Sequence, residues 1–140
     1  MYPEGQDILV VSDDPAERDY VAELLGTEGF AVTEAAEGLA AVRAAGAKRF
    51  SLIVAAVRLP GSLDGPATVR QVRARQPWLK ALFTERELRM QRGNPDTDDV
   101  IAAPFERREF LGCVFELLQR DADRRAADLA SRVRTACQAS

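Results

Sequence analysis

Five short apolar runs recur along the chain, and most are followed by a segment whose apolar residues repeat at helical spacing. The runs are rich in β-branched and aromatic residues, which predicts strands at 7–12, 30–35, 51–57, 78–84 and 100–104. The helical spacing predicts helices at 15–29, 37–48, 67–76 and 105–120. Strands and helices that alternate in this way predict an α/β fold, a doubly wound five-stranded parallel sheet covered on both faces.

Individual residues predict where the helices begin and which side chains lie on their apolar faces. Asp13 or Asp14 is predicted to cap the first one, with Pro15 in its first turn. We expect Tyr20 on the apolar face of that helix and Leu39 on the apolar face of the second. The polar segment at 85–99 contains Gly, Asn and Pro in succession and predicts at most one short helix and then a loop.

The length of 140 residues suits one domain, and we place its boundary near residue 120. Residues 1–120 are predicted to form this domain, and 121–140 to form a helical C-terminal extension because Ala, Leu, Arg and Asp dominate there. The extension is interpreted either as a solvated helix or as a dimerising or partner-binding helix.

Composition excludes several classes of function. The net charge of −3 predicts no binding of nucleic acid by bulk electrostatics, and no apolar stretch predicts a membrane span or signal peptide. We therefore expect a cytoplasmic protein with free thiols at Cys113 and Cys137. Histidine is absent, which removes the usual general base and most hydrolase mechanisms, so we predict that the chain is not an enzyme.

In a parallel sheet, chemistry belongs at the carboxyl ends of the strands. An acidic pair follows the first run, "RLPG" and "DG" follow the third, Thr84 ends the fourth, and Pro104-Phe105 follows the fifth. This order and spacing resemble the response-regulator receiver domain, the flavodoxin-like module of two-component signalling and phosphorelays. The resemblance covers about Asp7 to Arg120.

The resemblance implies phosphoryl transfer to an aspartate at the end of the third strand. In that family, Mg²⁺ is held by this aspartate and by an acidic pair after the first strand, and a Thr or Ser and a Lys sense the phosphate. Carried onto this sequence, the acceptor falls on Ala56, the lysine on Ala103, and the acidic pair on Ser12 and Asp13, while Thr84 keeps the pattern. These five positions form the predicted degenerate phosphorylation pocket.

Each feature also has a plainer interpretation. Asp13 and Asp14 can serve only to cap a helix, although they remain the residual candidates for a metal site. Thr84 can cap the segment after its strand, and Asp64-Gly65 reads as a turn in which Gly65 supplies a positive φ. We expect neither a catalytic residue nor a bound cofactor, with Mg²⁺ as the alternative.

The resulting hypothesis is an atypical pseudo-receiver that lacks the phosphoacceptor and acts by protein contact. Its partner would be a histidine kinase, a phosphotransfer protein or an output protein, and the chain would act as adaptor, decoy or homodimer. The family's signalling face implies an interaction surface at Phe105, Arg108, Cys113 and Glu116. The alternative is a phosphorylatable receiver that uses Asp13, Asp14 or Asp64 with residual Mg²⁺ binding.

Overall fold

The computed structural model describes residues 6–86 and 98–119. Five strands form one sheet in the order β2-β1-β3-β4-β5, and all neighbouring pairs are parallel. The strands are β1 (Asp7–Val11), β2 (Ala31–Ala35), β3 (Leu52–Ala56), β4 (Lys80–Glu85) and β5 (Asp98–Ala102). The predicted doubly wound parallel sheet is therefore confirmed. The strand order reverses at β1, because β2 lies on one side of it and β3, β4 and β5 follow on the other.

The helices are α1 (Pro15–Thr27), α2 (Gly38–Ala47), α3 (Gly65–Arg73) and α4, which is described over 107–119. Asp14 rather than Asp13 caps α1, because its Oδ1 accepts the amide of Ala16 at 3.0 Å. Asp64 caps α3 in the same way by accepting the amide of Ala67 at 2.8 Å. Because α1 follows the carboxyl end of β1 and α3 follows the carboxyl end of β3, their first turns lie at the same edge of the sheet.

The core lies in two layers because side chains of a strand alternate between the two faces of the sheet. Ile8, Val10 and Val54 pack with α1 and α4, whereas Leu9, Val11 and Ile53 pack with α2 and α3. Both faces of the central strands are buried, which explains why these strands read as uninterrupted apolar runs.

Two predicted core residues are exposed instead. Leu39 is 43% exposed at the start of α2, because the small residues Ala41 and Ala45 form the buried face and let the helix lie close to the sheet. Tyr20 is 39% exposed, since it lies at the edge of the buried face of α1. Its ring contacts Phe105 at a centroid distance of 6.0 Å, and its hydroxyl donates to the Phe105 carbonyl at 3.3 Å.

The prediction for Gly65 is also wrong. Among the described residues, positive φ angles occur only at Gly29 and Gly61. Gly65 is required for a different reason, since a Cβ built on it would lie 2.3 Å from the carbonyl oxygen of Ala56. The first turn of α3 therefore packs directly on the end of β3.

Two predictions fall on residues that the structure does not describe. The helical extension at 121–140 and most of the polar segment at 85–99 lie outside the described ranges. At the ends of that polar segment, β4 continues through Glu85 and β5 already begins at Asp98, two residues earlier than predicted. Within 6–86 and 98–119, no helix combines the length and the hydropathy that crossing a membrane requires.

Candidate functional site

The carboxyl ends of β1, β3, β4 and β5 surround a cavity of about 440 Å³, which we call the strand-end cavity. It lies at the topological switch point beside β1, where ligands of such sheets bind. Its lining residues are Asp13, Asp14, Glu17, Ala56, Arg58, Thr84, Glu85, Arg86 and Ala103. Four of the five predicted pocket residues are thus brought together.

Ala56 and Thr84 are aligned neighbours at the ends of β3 and β4. The next residue of the chain continues this pairing, since the Val57 amide donates to the Thr84 carbonyl at 3.0 Å. Thr84 is only 5% exposed, yet its hydroxyl makes no hydrogen bond within the described part of the chain. A methyl group and an uncommitted hydroxyl therefore stand side by side in this cavity.

Ser12, the fifth predicted pocket residue, lies beside the cavity and is 3% exposed. Its hydroxyl donates to Glu17 Oε2 at 2.9 Å and accepts the Asp14 amide at 3.2 Å. The Ser12 carbonyl in turn accepts Arg18 Nη1 at 2.8 Å. Ser12 therefore secures the turn between β1 and α1 and orients Glu17.

The two adjacent aspartates have different surroundings. Asp14 uses Oδ1 for the helix cap and Oδ2 for an ion pair with Arg86 Nη2 at 3.2 Å. Asp13 is exposed and forms no hydrogen bond or ion pair with any residue that the structure describes. Asp14 is therefore committed on both oxygens, while Asp13 remains available to a ligand.

The resemblance to the receiver family implies Mg²⁺ in this cavity. Mg²⁺ needs near-octahedral oxygen ligands, which proteins usually supply as one or two carboxylates together with several waters. The Ala56 methyl supplies none, and Asp14 is occupied by Arg86. No group of three or more His, Cys, Asp or Glu side chains within 6–86 and 98–119 is arranged to hold a metal ion. The residues present do not fit Mg²⁺.

The lining is completed by Glu17, Arg58, Glu85 and Arg86, four charged residues to which the resemblance assigns no role. Arg86 follows Thr84 by two positions, and Arg58 follows Ala56 by two. Side chains two positions apart in an extended chain point to the same side. This spacing is the sequence signal that could have predicted both arginines in the cavity. The cavity thus contains two guanidinium groups that the resemblance did not predict.

A second concavity of about 580 Å³, here called the aromatic groove, adjoins the strand-end cavity between α1 and the start of α4. Its lining residues are Asp14, Ala16, Glu17, Tyr20, Arg86, Ala103, Pro104 and Phe105. Four of these, Asp14, Glu17, Arg86 and Ala103, also line the first cavity. The two concavities are therefore adjacent and share part of their lining.

The four residues of the predicted interaction surface differ in how far they are exposed. Phe105 is 8% exposed and stacks on Phe110 at a centroid distance of 5.1 Å, so it reaches the surface chiefly where it lines the aromatic groove. Arg108 and Glu116 are exposed on α4, and Cys113 is half-buried there. Whether this surface binds a partner remains a prediction.

Comparison with known proteins identifies the class that this fold and site define. Residues 8–114 match the family described as the response regulator receiver domain. The chain therefore belongs to the response regulator receiver domain family, a class of signalling modules in two-component systems, and the resemblance drawn from the sequence is confirmed.

Individual relatives support the same assignment. The chain is 33% identical over 116 residues to the Bacillus subtilis transcriptional regulatory protein ResD, covering 81% of this chain and 48% of ResD. It is 32% identical over 117 residues to the Pseudomonas aeruginosa transcriptional activator protein PfeR, covering 81% of this chain and 38% of PfeR. The chain thus spans less than half the length of these two relatives.

A solved structure provides the most informative comparison. The receiver domain of the Pseudomonas aeruginosa sensor histidine kinase PA1611 superposes with a TM-score of 0.70 at 28% identity, covering 82% of this chain and 98% of that domain. That structure is described as having a magnesium ion coordinated in its active site cleft. The two proteins share the fold, while the strand-end cavity of the present chain has the lining described above.

Proposed function

We propose that this chain is a receiver domain that no longer accepts a phosphoryl group and acts by protein contact in two-component signal transduction. Membership of the receiver family supports the signalling role. The observation that carries the finer proposal is the methyl group of Ala56 at the end of β3, inside the cavity where the family performs its chemistry. A methyl group has no lone pair with which to attack phosphorus.

The positions where positive charge is expected in the cavity also support this proposal. Ala103 stands where the resemblance places the lysine that senses the phosphate, and it too contributes only a methyl group. The nearby guanidinium of Arg86 is paired with Asp14. The guanidinium group near the cavity therefore has a carboxylate partner within the chain, in an ion pair that is largely exposed to solvent.

Function then depends on surface recognition and on no reaction catalysed by the chain. A histidine kinase, a phosphotransfer protein or an output protein is the expected partner, with a second copy of the chain as a further form of assembly. We propose a cytoplasmic location, no bound cofactor and no nucleic-acid contact. Because the chain spans less than half of ResD and PfeR, an output activity like that of those regulators is no part of this proposal.

A phosphorylation assay with intact-mass detection tests the proposal. The protein is incubated with acetyl phosphate and Mg²⁺, and we expect no adduct with the mass of a phosphoryl group. The double variant Ala56→Asp, Ala103→Lys is the matched control, since it introduces the missing carboxylate and ammonium into the same cavity. A stoichiometric, hydroxylamine-labile adduct on the unaltered protein would contradict the proposal.

Such an adduct would support the alternative receiver, and its position would identify the acceptor. Asp13 is the carboxylate to examine first, because it lines the cavity without a partner among the described residues. Asp14 and Asp64 both cap helices, so modification of either would cost a capping hydrogen bond. Peptide mapping of the adduct separates these three positions.

A further inference from the structure

We propose that copies of this chain associate head to tail, with the outer side of α1 in one copy lying on the outer side of α2 and α3 in the next. This inference rests on the proposed function, in which a second copy is one form of assembly, and it specifies which surfaces meet. Two observations carry it. The two surfaces have opposite charge, and each carries one of the two large apolar side chains that are exposed among the described residues.

The outer side of α1 is acidic. Four exposed residues, spaced three or four positions apart and therefore on one side of the helix, form what we call the acidic stripe: Ala16, Asp19, Tyr20 and Glu23. Asp19 and Glu23 form no ion pair or hydrogen bond with any residue that the structure describes. The one cation of α1, Arg18, pairs with Glu34 of β2 at 3.7 Å instead. The stripe therefore presents uncompensated negative charge.

The outer side of α2 and α3 is basic. Residues 38–49 and 65–76, which comprise these helices and the residues that follow them, contain six Arg and Lys residues and no Asp or Glu. Arg43, Arg70 and Arg75 are exposed and form no ion pair within the described part of the chain. These three residues and Leu39 are called the basic face. In a chain of net charge −3, cations and anions are thus segregated on different helices.

The exposed side of α2 is unusually apolar for a helix at the surface. Arg43 is the only charged residue between Gly38 and Ala47, and Gly46 and Ala47 are exposed on the same side as Leu39. Arg75 lies beside them, since its Nη1 is 3.1 Å from the position of a Cβ built on Gly46. A helix that is apolar on all sides is normally covered on all sides, whereas α2 is covered on one. These small side chains let another molecule approach the helix closely.

The exposed apolar side chains match each other in the same way as the charges. Tyr20 in the acidic stripe is 39% exposed, and Leu39 in the basic face is 43% exposed. The Tyr20 hydroxyl donates to the Phe105 carbonyl at 3.3 Å, so its ring is already held in place and loses little freedom when it is covered. Contact between the two surfaces would give an apolar centre with a charged rim, which is the usual arrangement of a protein interface.

The position of the two surfaces favours a head-to-tail contact. They lie on opposite sides of the sheet, because α1 packs on the side of Ile8 and Val10, and α2 and α3 pack on the side of Leu9 and Val11. In a two-fold symmetric dimer each surface would meet its own copy, and like charges would face each other. A head-to-tail contact pairs opposite charges and leaves one surface free at each end, so it repeats into an open chain of molecules.

Sedimentation equilibrium of the full chain tests the inference. Because few charge pairs and two apolar side chains contribute, we expect a dissociation constant of about 0.3 mM per contact at about 0.05 M salt. The mean mass should rise continuously with protein concentration, as an open chain requires. It should return to the mass of one chain at about 0.5 M salt, because salt screens exposed charges. In the isotope-labelled protein, NMR signals of the amides of Tyr20 and Leu39 should shift with concentration.

Two charge-reversed double variants assign the contact to these surfaces. Asp19→Lys with Glu23→Lys reverses the acidic stripe, and Arg43→Glu with Arg75→Glu reverses the basic face. Each variant alone should associate at least about tenfold more weakly than the unaltered chain, because like charges then face each other. An equimolar mixture of the two should restore association, since the first retains the basic face and the second retains the acidic stripe.

Two further variants separate net charge from position and charge from apolar contact. Glu106→Lys with Glu109→Lys makes the same change of net charge as reversal of the stripe, at exposed positions outside both surfaces. This matched control should change the dissociation constant by less than about twofold. Leu39→Ala should weaken association by about threefold or more without any change of charge, because less apolar surface is then covered.

Several outcomes would overturn the inference. These are a mass of one chain at every concentration in low salt, a mass that stops rising at two chains, a mixture of the reversed variants that does not associate, or shifts confined to α4. Association lost on reversal of the stripe but kept on reversal of the basic face would assign the stripe to another cationic segment and refute the proposed contact. Absence of association in a chain that also resists phosphorylation would refute this inference and leave the proposed function standing.

Discussion

Introducing an aspartate at position 56 tests how the strand-end cavity tolerates charge. Ala56 is partly exposed and lines the cavity together with Asp13, Glu17 and Arg58. The change Ala56→Asp adds a carboxylate to a lining in which carboxylates already outnumber guanidinium groups. We expect the folded state to lose stability because like charges are brought together.

The size of this loss follows from the cavity's lining. Two like charges about 6 Å apart repel each other by about 1 kcal/mol in water and by about 3 kcal/mol at the lower dielectric constant of a protein surface. Asp13 and Glu17 each repel the new carboxylate, and Arg58 attracts it. The Asp14–Arg86 pair nearly cancels, and Glu85 already interacts with another group of the chain. The net effect is close to one repulsive pair, so the free energy of unfolding should fall by about 2 kcal/mol.

Urea denaturation with and without Mg²⁺ measures the effect. A loss of about 2 kcal/mol lowers the midpoint by about 1 M urea for a domain of this size. The control is Ala56→Asn, which adds a side chain of the same shape without charge. Mg²⁺ should restore most of the stability of Ala56→Asp, because the new carboxylate and Asp13 together offer it oxygen ligands, and it should leave Ala56→Asn unchanged.

The reasoning would be refuted if Ala56→Asp and Ala56→Asn unfold at the same urea concentration, because the cavity would then carry no excess negative charge. It would also be refuted if Mg²⁺ stabilised the unaltered protein as much as Ala56→Asp, since the present lining would then hold the ion without the added carboxylate.

Three further changes probe the scaffold, each measured by urea denaturation. Gly65→Ala should cost about 2 kcal/mol, because the added methyl meets a carbonyl oxygen at 2.3 Å, while Gly112→Ala, with nothing within 4 Å, should be neutral or stabilising; equal effects would contradict the packing of α3 on β3. Gln76→Leu should cost about 3 kcal/mol, because the buried amide makes three hydrogen bonds to backbone groups, and the exposed Gln71→Leu should cost little. Asp14→Ala should cost about 1 kcal/mol through the lost cap, and Asp14→Asn, which keeps a capping oxygen, clearly less. Equal losses in the two variants would show that the ion pair with Arg86, and not the cap, carries the effect.

Much of the fold was predictable because its signals are local. The strand at 51–57 consists of consecutive apolar residues, which only a strand covered on both faces requires, and β3 is found at Leu52–Ala56. The first turn of α1 was predictable from an Asp-Pro pair, whose chemistry acts within three residues. Where the signal was ambiguous, as on the apolar α2, the orientation of Leu39 was predicted wrongly.

The candidate site was predictable in part. Asp13, Ala56, Thr84 and Ala103 were assigned to it from their order along the chain, and they do line one cavity. Arg86 was missed because it lies 72 positions from Asp14 in the sequence. The two side chains meet only because β1 and β4 end at the same edge of the sheet. The aromatic groove was missed for the same reason, since Tyr20 and Phe105 meet only across α1 and the start of α4.

By itself, the sequence determined the element order, the parallel sheet, the receiver family and the methyl groups at positions 56 and 103. These depend on hydrophobic periodicity and residue identity, which are properties of the chain at short range. Only the tertiary structure decided that Asp14 is committed on both carboxylate oxygens, whereas Asp13 has no partner among the described residues. It also decided that Ala103 lines two concavities. Such features depend on the distances between side chains from different strands and helices, and packing alone sets those distances.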